Sequence, residues 1–310
     1  MGPSASMAGQ WQDEMGHRLQ IRSRRLFRAF DRVTYTKMFD LSLIDSLSSS
    51  QEELVIIRRL AGHKPALTAE DCIGFPANRR AAVLVLLFVR DGHIRVLLTT
   101  RSKSLRSHPG QVALPGGRCD PEDGSMVKTA LREAHEEVGL PYDHPHIHIL
   151  TTLAPFLSQF RLLVTPVIGW ATSPEFIQEL KANESEVDEI WDHPLEAVLS
   201  PELVRQPGIL TRSLAEKNTE GWPYESDVYE PYDREWMRGT HYRMHRFRSV
   251  AVPVKGLTAD ILIHTAELAY NKQPPFSMRA EDQLDFNTSL KYVIEDLEAD
   301  AAKKAAEQKP

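Results

Sequence analysis

The sequence is poor in three features that would restrict its function: cysteine, an excess of basic residues and long apolar runs. Only Cys72 and Cys119 occur among 310 residues, without the paired spacing of a metal or redox motif. Reduced thiols in an intracellular compartment are therefore expected. The longest apolar run, 81–89, is far shorter than the ~20 residues that a membrane-spanning helix needs. We expect no membrane span.

The charge balance argues against a nucleic-acid partner. Lys and Arg together number 37 and Asp and Glu 43, which leaves a formal net charge of −6 at pH 7. Proteins that bind nucleic acid independently of its sequence normally carry a broad excess of Lys and Arg. An anionic small molecule stays compatible with this composition, because local charge and bound metal ions dominate at a single site.

The hydrophobic content of 42% over 310 residues suits one sizeable core with extensions, or two small domains. We predict an N-terminal basic and helical extension over 1–74, a core domain over 75–270 and a C-terminal helical extension over 271–310. A segment rich in Pro, Gly, Tyr and Trp, about 204–240, reads as an insertion in the core. Mixed strands with few, segregated helices indicate the α+β class, as an α/β/α sandwich.

Local signals place most of the elements. Two apolar runs, 81–90 and 93–100, flank Asp91-Gly92, which predicts a tight β-hairpin. The segment 101–124 is rich in Pro and Gly and is expected to be a long, structured loop. Other expected elements are helices within 44–70, strands at about 147–154, 161–170, 187–191 and 242–252, a short helix at 195–199, and helices beginning at an N-cap Thr258 and at about 280.

A helix is predicted from about Ser125 to Val138, with Ser125 as N-cap and Gly139 as the left-handed residue that ends it. On this helix Glu133, Glu136 and Glu137 stand at i, i+3 and i+4, so they project from one face. Their mutual repulsion is removed by a divalent cation, and Mg²⁺ suits carboxylate oxygens.

Acidic clusters on helices are usually solvated faces, but the neighbouring residues favour a site here. Gly116-Gly117 precedes the helix and lets backbone and ligand approach closely. Arg132 adjoins the carboxylates and is placed to pair with one of them, which would fix its orientation.

The stretch Arg132–Leu140, REAHEEVGL, resembles the core of the Nudix box at every fixed position, with Gly117 as the upstream glycine. The loop is one residue longer than the general box, so Asp123 or Glu122 stands in for its upstream Glu. The resemblance implies the Nudix fold over roughly 75–270, a mixed sheet between helices. It also implies the Nudix hydrolase reaction, cleavage of a diphosphate bond by metal-activated water.

A second resemblance concerns the substrate. Residues 97–117, LLTTRSKSLRSHPGQVALPGG, resemble the motif of coenzyme A diphosphatases within the Nudix superfamily, with Leu114 in place of the usual Phe. Arg101, Arg106 and His108 put positive charge beside the expected metal site. Such a cluster suits a diphosphate with a further phosphate, although charges in a surface loop are the alternative.

The family resemblance implies a specific site. Mg²⁺ or Mn²⁺ would be held by Glu133, Glu136, Glu137 and the Gly116 carbonyl, with Arg132 orienting a carboxylate. Glu186, in the acidic segment NESEVDEI, is a candidate for a further metal contact or the general base, with a solvated acidic turn as the alternative. The residues implied in substrate binding are Arg101, Arg106, His108, Gly116 and Gly117.

The implied reaction is hydrolysis of coenzyme A (CoA) or acyl-CoA to 3′,5′-ADP and 4′-phosphopantetheine or its acylated form. Two other functions stay open: a Nudix hydrolase of oxidised nucleoside triphosphates or ADP-ribose, and a catalytically silent Nudix-fold binding or scaffold protein. The family resemblance implies a peroxisomal or mitochondrial location. The chain lacks a C-terminal Ser-Lys-Leu, and its Arg-rich segment 17–32 is transit-peptide-like or a surface helix. Nothing in the sequence indicates an oligomeric state.

Overall fold

The chain is described by a computed structural model that covers residues 41–48 and 50–307. The Arg-rich segment 17–32 lies outside the described residues. The strands are β1 (Arg80–Arg90), β2 (His93–Arg101), β3 (Val112–Ala113), β4 (Gly116–Arg118), β5 (Ile147–Thr152), β6 (Phe156–Leu157), β7 (Leu163–Ala171), β8 (Val187–Pro194), β9 (Tyr232–Glu235), β10 (His241–Met244), β11 (Arg246–Phe247) and β12 (Val254–Lys255). The α-helices are α1 (Gln51–Ala61), α2 (Met126–Val138), α3 (Gly256–Tyr270) and α4 (Phe286–Glu307).

The predicted hairpin is confirmed. Arg90 pairs with His93, and the two residues between them have positive φ angles, 53° at Asp91 and 74° at Gly92. Two left-handed residues are what a two-residue type I′ turn requires, and Asp-Gly supplies them at low cost. The turn therefore sets the register of β1 against β2 from local chemistry alone.

β1 lies at the centre of an eight-stranded mixed sheet. It runs parallel to β7 and antiparallel to β2 and β4, and β5, β6, β3 and β8 complete the sheet. Helices cover both faces: Val85 and Leu87 pack in a core with α1 and α3, whereas α2 packs on β1 from the other side. The α+β class and the mixed sheet between helices are confirmed.

β1 and β2 pair with each other only near their turn. Farther from the turn, two short strands of the segment between β2 and α2 pair with them instead. The pairing of β1 with β2 extends to Leu87 and Val96. Beyond that point β4 pairs with β1 over 81–83, and β3 pairs with Thr99 and Thr100 of β2. The predicted loop 101–124 thus contains two short strands, which are too brief to show a period of two in the sequence.

Helix α2 forms where it was predicted. The Ser125 side chain accepts a hydrogen bond from the Lys128 backbone N–H at 3.2 Å. Gly139 ends the helix with φ +69°, and its N–H donates to the His135 carbonyl at 3.0 Å. Both caps satisfy backbone groups that a helix end leaves unpaired.

Other boundaries differ from the predictions. α3 begins at Gly256, which turns the chain directly out of β12 with φ +60°, so Thr258 lies in the first turn and its expected role as N-cap is wrong. The helix expected from about 280 begins at Phe286, where Asp285 accepts from the Thr288 backbone N–H at 3.0 Å. The strand expected near 242–252 is shorter, because β10 ends at Met244 and β11 covers only two residues.

The expected insertion at 204–240 is mostly irregular, and its last residues form β9, which pairs with β10 in a separate hairpin. α4 packs against Phe75 and Leu163 through Val293, Ile294 and neighbouring apolar residues. The domain boundaries at 74 and 271 stay predictions. None of the helices in the described part of the chain is long and apolar enough to cross a membrane.

Candidate active site

The three glutamates of α2 form a gradient of burial along one face. Their side chains are 44% exposed at Glu136, 17% at Glu133 and 6% at Glu137. This order follows from the orientation of the helix about its own axis, since Glu136 lies on the side that faces solvent and Glu137 on the side that faces the sheet. The deepest carboxylate is therefore the one whose charge depends most on its neighbours.

Arg132 holds two of the three glutamates. Its Nη1 donates to Glu133 Oε1 at 2.8 Å and to Glu136 Oε2 at 3.2 Å. Its Nε and Nη2 donate to the two carboxylate oxygens of Asp123 at 2.8 and 3.0 Å, and Nη2 also donates to the Arg118 carbonyl at 2.9 Å. Burial alone would lower the pKa of Arg132, but these carboxylates raise it overall. A single guanidinium therefore orients the cluster.

Asp123 is the buried partner of that guanidinium. It also accepts hydrogen bonds from the Thr129 hydroxyl at 2.7 Å and from the Asp120 backbone N–H at 2.9 Å. Burial favours a raised pKa, yet the hydrogen bonds from Arg132 and Thr129 lower the pKa of Asp123 overall. Glu122 is exposed. Of the two candidates for the upstream carboxylate, the structure places Asp123 at the site, where it holds Arg132.

The Gly-Gly segment lies against both the sheet and the carboxylates. The Gly116 N–H donates to Glu137 Oε2 at 3.0 Å. A Cβ on Gly116 would lie 2.4 Å from the Ala82 carbonyl oxygen, and one on Gly117 would lie 2.5 Å from Glu133 Oε2. Only glycine leaves room for β4 to pair with β1 while α2 approaches.

Two further residues join the site from other elements. Arg101, at the end of β2, lies 3.8 Å from Glu137 through Nη1. Burial raises the pKa of Glu137 to about 7, the Gly116 N–H and Arg101 oppose the shift, and Glu133 and Glu186 add to it. Burial likewise raises the pKa of Glu133, against the opposing charge of Arg132. Glu186 is thus close enough for its charge to act on both carboxylates.

The glutamate oxygens suit a cation that is also bound by the substrate better than they suit a cation bound by protein ligands alone. Within 41–48 and 50–307, no group of three or more His, Cys, Asp or Glu side chains is arranged to hold a metal ion. Glu133 and Glu136 turn towards Arg132, and Glu137 turns towards Gly116. Mg²⁺ commonly binds through one or two carboxylates, water and substrate phosphates, which fits this arrangement. Burial raises the pKa values of Glu133 and Glu137, and the neighbouring carboxylates add to the shift, so a bound cation would stabilise their charged forms.

A cavity of about 390 Å³ adjoins the carboxylates. Arg101 belongs to its lining and also contacts Glu137, so it connects the cavity with α2. Arg234 and Lys255 also line it, and among the residues that the structure describes no carboxylate does. Three cationic side chains around a cavity of this size make it suited to a phosphate-bearing small molecule.

The other sequence-predicted substrate residues divide between the cavity and its surroundings. His108 lines the cavity beside Phe160, with the ring centroids 4.6 Å apart, and its Nδ1 lies 2.9 Å from Gln111 Oε1. Ser158 also lines it. Arg106 is exposed in the loop after β2 and does not line the cavity, so the structure does not bring it to the site.

Comparisons with known proteins agree with this geometry. Residues 78–213 match the family model of the NUDIX domain. Over these residues the chain is similar to a Nudix domain. Nudix hydrolase 15, mitochondrial, of Arabidopsis thaliana is 37% identical over 203 residues, which are 64% of this chain and 61% of that protein. An uncharacterized Nudix hydrolase, NudL, of Photorhabdus laumondii is 46% identical over 123 residues, 40% of this chain and 63% of that protein.

The chain therefore spans about three fifths of the length of these curated relatives. Among solved structures, a Nudix hydrolase from M. smegmatis, RenU, superposes with a TM-score of 0.33 and 28% identity, covering 43% of this chain and 79% of that one. That TM-score is too low to add to the sequence match.

The Nudix match includes the carboxylates but only part of the cavity wall. Arg234, Trp236, Tyr242 and Met244, on and beside the β9–β10 hairpin, lie beyond residue 213, as does Lys255. Sequence reasoning did not select these residues, although the Trp and Tyr content of 204–240 was a signal. For Lys255 there was none, because a single lysine between two elements is ordinary.

Proposed function

We propose that the Nudix domain hydrolyses the diphosphate bond of coenzyme A or acyl-CoA, releasing 3′,5′-ADP and 4′-phosphopantetheine or its acylated form. One observation carries the proposal: Arg101 contacts Glu137 at 3.8 Å and also lines the cation-rich cavity. Charge that can grip phosphate thus lies directly beside carboxylates that can activate water. The resemblance of residues 97–117 to coenzyme A diphosphatases supports the choice of substrate.

In the proposed mechanism each residue has a distinct task. Glu133, Glu136, Glu137 and the Gly116 carbonyl would hold Mg²⁺ or Mn²⁺, which when bound would supply charge neutralisation at the diphosphate and a more acidic water. Arg132 restrains Glu133 and Glu136 through hydrogen bonds of 2.8 and 3.2 Å, which limits the reorganisation of these carboxylates when substrate binds.

Substrate orientation and proton transfer are assigned to residues around that cluster. Arg101 and His108 bind and orient the phosphate-bearing part of the substrate, and Gly116 and Gly117 allow its close approach. Glu186 accepts the proton of the attacking water, with Glu137 as the second candidate, because both carboxylates lie in one electrostatic cluster.

The direct test is cleavage of coenzyme A with and without Mg²⁺ or Mn²⁺, with the products identified by mass. We expect 3′,5′-ADP and phosphopantetheine only when metal is present. Turnover of an oxidised nucleoside triphosphate or ADP-ribose, but not of coenzyme A, would keep the Nudix chemistry and overturn the substrate. Binding without any metal-dependent turnover would instead support a silent scaffold.

Replacing one glutamate tests the catalytic assignment. Glu136→Gln keeps the side-chain volume and removes one charged ligand, so we expect turnover to fall by about 10²-fold or more, with the melting temperature unchanged. Glu122→Gln, in the exposed part of the preceding loop, is the matched control and should keep full activity. Near-normal turnover of the Glu136→Gln variant would refute the role of the three glutamates.

A mitochondrial location is also proposed, since the Arabidopsis relative is named as mitochondrial. Fractionation of cells that express the tagged full chain tests it. Enrichment in the mitochondrial fraction is expected, and enrichment with peroxisomes would overturn it.

A further inference from the structure

A second cavity, of about 460 Å³, shares a wall with the first. Leu157, Trp236, Tyr242 and Leu257 line both cavities. Two side chains of that wall come from the segment 232–244, which comprises β9, β10 and their turn and lies beyond the residues that match the Nudix domain. The second cavity therefore adjoins the proposed substrate site.

The second cavity has a different chemical character. Much of its lining is apolar, including Ala154, Pro155, Phe156, Met278 and Leu284, and Arg243, His264 and Arg279 line it as well. Among the described residues its one carboxylate is Asp260, on the second turn of α3, and the Tyr242 hydroxyl donates a hydrogen bond to Asp260 Oδ2. Among the described residues, no cationic side chain forms an ion pair with Asp260.

Asp260 is positioned to accept a hydrogen bond from a ligand. One of its oxygens is occupied by Tyr242, and the residue keeps part of its surface accessible where it lines the cavity. The surrounding apolar side chains desolvate it and raise the pKa of Asp260 to about 7. A desolvated carboxylate gains more from a hydrogen-bond donor than an exposed one does, and it disfavours a phosphate.

The wall that carries Tyr242 is held in place by several charged contacts. Arg243 Nε and Nη2 donate to the two oxygens of Asp233 at 2.7 and 2.6 Å, which ties β10 to β9. Arg238, in the turn between these strands, donates to Asp296 of α4 at 2.7 Å. These contacts hold the hairpin that carries Tyr242 against α4, and the hydrogen bond from the Tyr242 hydroxyl links it to Asp260 of α3.

The two cavities differ in composition in a way that matches a substrate with two unlike ends. Arg101, Arg234 and Lys255 line the first, next to the glutamates of α2. The second is lined mainly by apolar groups, together with Asp260, Arg279 and Arg243, whose guanidinium is paired with Asp233. A diphosphate ester would place its phosphates in the first cavity and a long, uncharged group in the second.

We propose that the second cavity binds the substrate end remote from the diphosphate, a flexible uncharged chain with amide or hydroxyl donors, and that Asp260 accepts a hydrogen bond from it. Tyr242 acts as a positioning residue for Asp260. This inference rests on the proposed function, which it deepens by naming what distinguishes the substrate from nucleoside triphosphates.

Calorimetry with pantetheine tests the site without any catalysis, because pantetheine carries amides and hydroxyls but no phosphate. We expect it to bind the full chain and to bind the Asp260→Asn variant about tenfold more weakly, as loss of a hydrogen bond to a charged group predicts. Tyr242→Phe should weaken binding less. Asp91→Asn, in the exposed β1–β2 turn, is the control and should bind as the unaltered chain does.

Kinetics give the second readout. Coenzyme A is compared with 3′-phosphoadenosine 5′-diphosphate, which has the same phosphate head and no chain. For Asp260→Asn we expect KM for coenzyme A to rise about tenfold at unchanged kcat, and both constants for the truncated substrate to stay the same. An equal change for both substrates would mean a structural effect and would overturn the inference.

The two experiments separate this inference from the proposed function. Pantetheine binding that depends on Asp260, without cleavage of coenzyme A, would refute the hydrolysis and uphold the binding site. Cleavage of coenzyme A combined with pantetheine binding that Asp260→Asn does not weaken would refute the binding site alone. Cleavage of coenzyme A without any binding of pantetheine would do the same.

Discussion

Gly117→Ala tests whether the position of Glu133 limits catalysis. A Cβ on Gly117 would lie 2.5 Å from the carboxylate carbon and from Oε2 of Glu133. The φ angle of Gly117 is not in the left-handed region, so alanine introduces no backbone strain there. The perturbation is therefore confined to one carboxylate, which must retreat by about 1 Å to reach ordinary contact.

The expected magnitudes follow from that retreat. It disrupts the 2.8 Å hydrogen bond between Arg132 and Glu133, a partly buried contact that contributes about 1 kcal/mol to the free energy of unfolding. The melting temperature should fall by only about 2–4 °C. Misplacement of a catalytic group by about 1 Å commonly lowers turnover by about 100-fold. Activity should thus fall far more than stability.

The assay is metal-dependent cleavage of coenzyme A by Gly117→Ala, alongside a melting curve. Gly92→Ala is the matched control, since a Cβ there meets no atom within 4 Å but must adopt φ +74°. That strain costs about 1–2 kcal/mol, so the control should lose stability and keep its kcat. Normal turnover by Gly117→Ala with a normal melting temperature would show that the position of Glu133 is not limiting.

Three further predictions address neighbouring groups. Asp123→Asn replaces the bidentate partner of Arg132, so kcat should fall about tenfold or more, and a kcat equal to that of the parent would contradict this role. Arg101→Gln should raise KM for coenzyme A about tenfold, whereas Arg106→Gln should change it less than about twofold, and equal effects would show that both bind substrate. For Asp260, whose pKa rises from 3.8 to about 7 on folding, the folded state binds the proton more tightly. The free energy of unfolding should therefore fall as pH rises from about 4 to about 7, by at most about 4 kcal/mol. The Asp260→Asn variant lacks this titration, so its melting temperature relative to that of the parent should rise between pH 5 and pH 8. A constant difference would refute the assigned pKa.

Several features could be predicted because they depend on residues close in sequence. The i, i+3, i+4 spacing places Glu133, Glu136 and Glu137 on one helix face whatever surrounds the helix. Ser125 and Gly139 end that helix by local capping. Asp91-Gly92 likewise closes the hairpin through backbone angles that few other residues adopt.

Other features escaped prediction for an equally physical reason. β3 and β4, at two and three residues, are too short for any periodic signal and exist because the opened β1–β2 pair offers unpaired backbone groups. The start of α3 was set by the left-handed Gly256 instead of a side-chain cap at Thr258. Each of these features depends on contacts with parts of the chain that are distant in sequence.

The sequence by itself thus determined the helix α2, the common face of its glutamates and the hairpin that begins the sheet, since short-range geometry decides these. Only the tertiary structure decided what those glutamates face. It paired Arg132 with Asp123, brought Arg101 from β2 to Glu137, and left Arg106 outside the cavity. It also joined Tyr242 to Asp260 across the second cavity. These contacts link elements that pair or pack only in the folded sheet, so no local pattern in the chain encodes them.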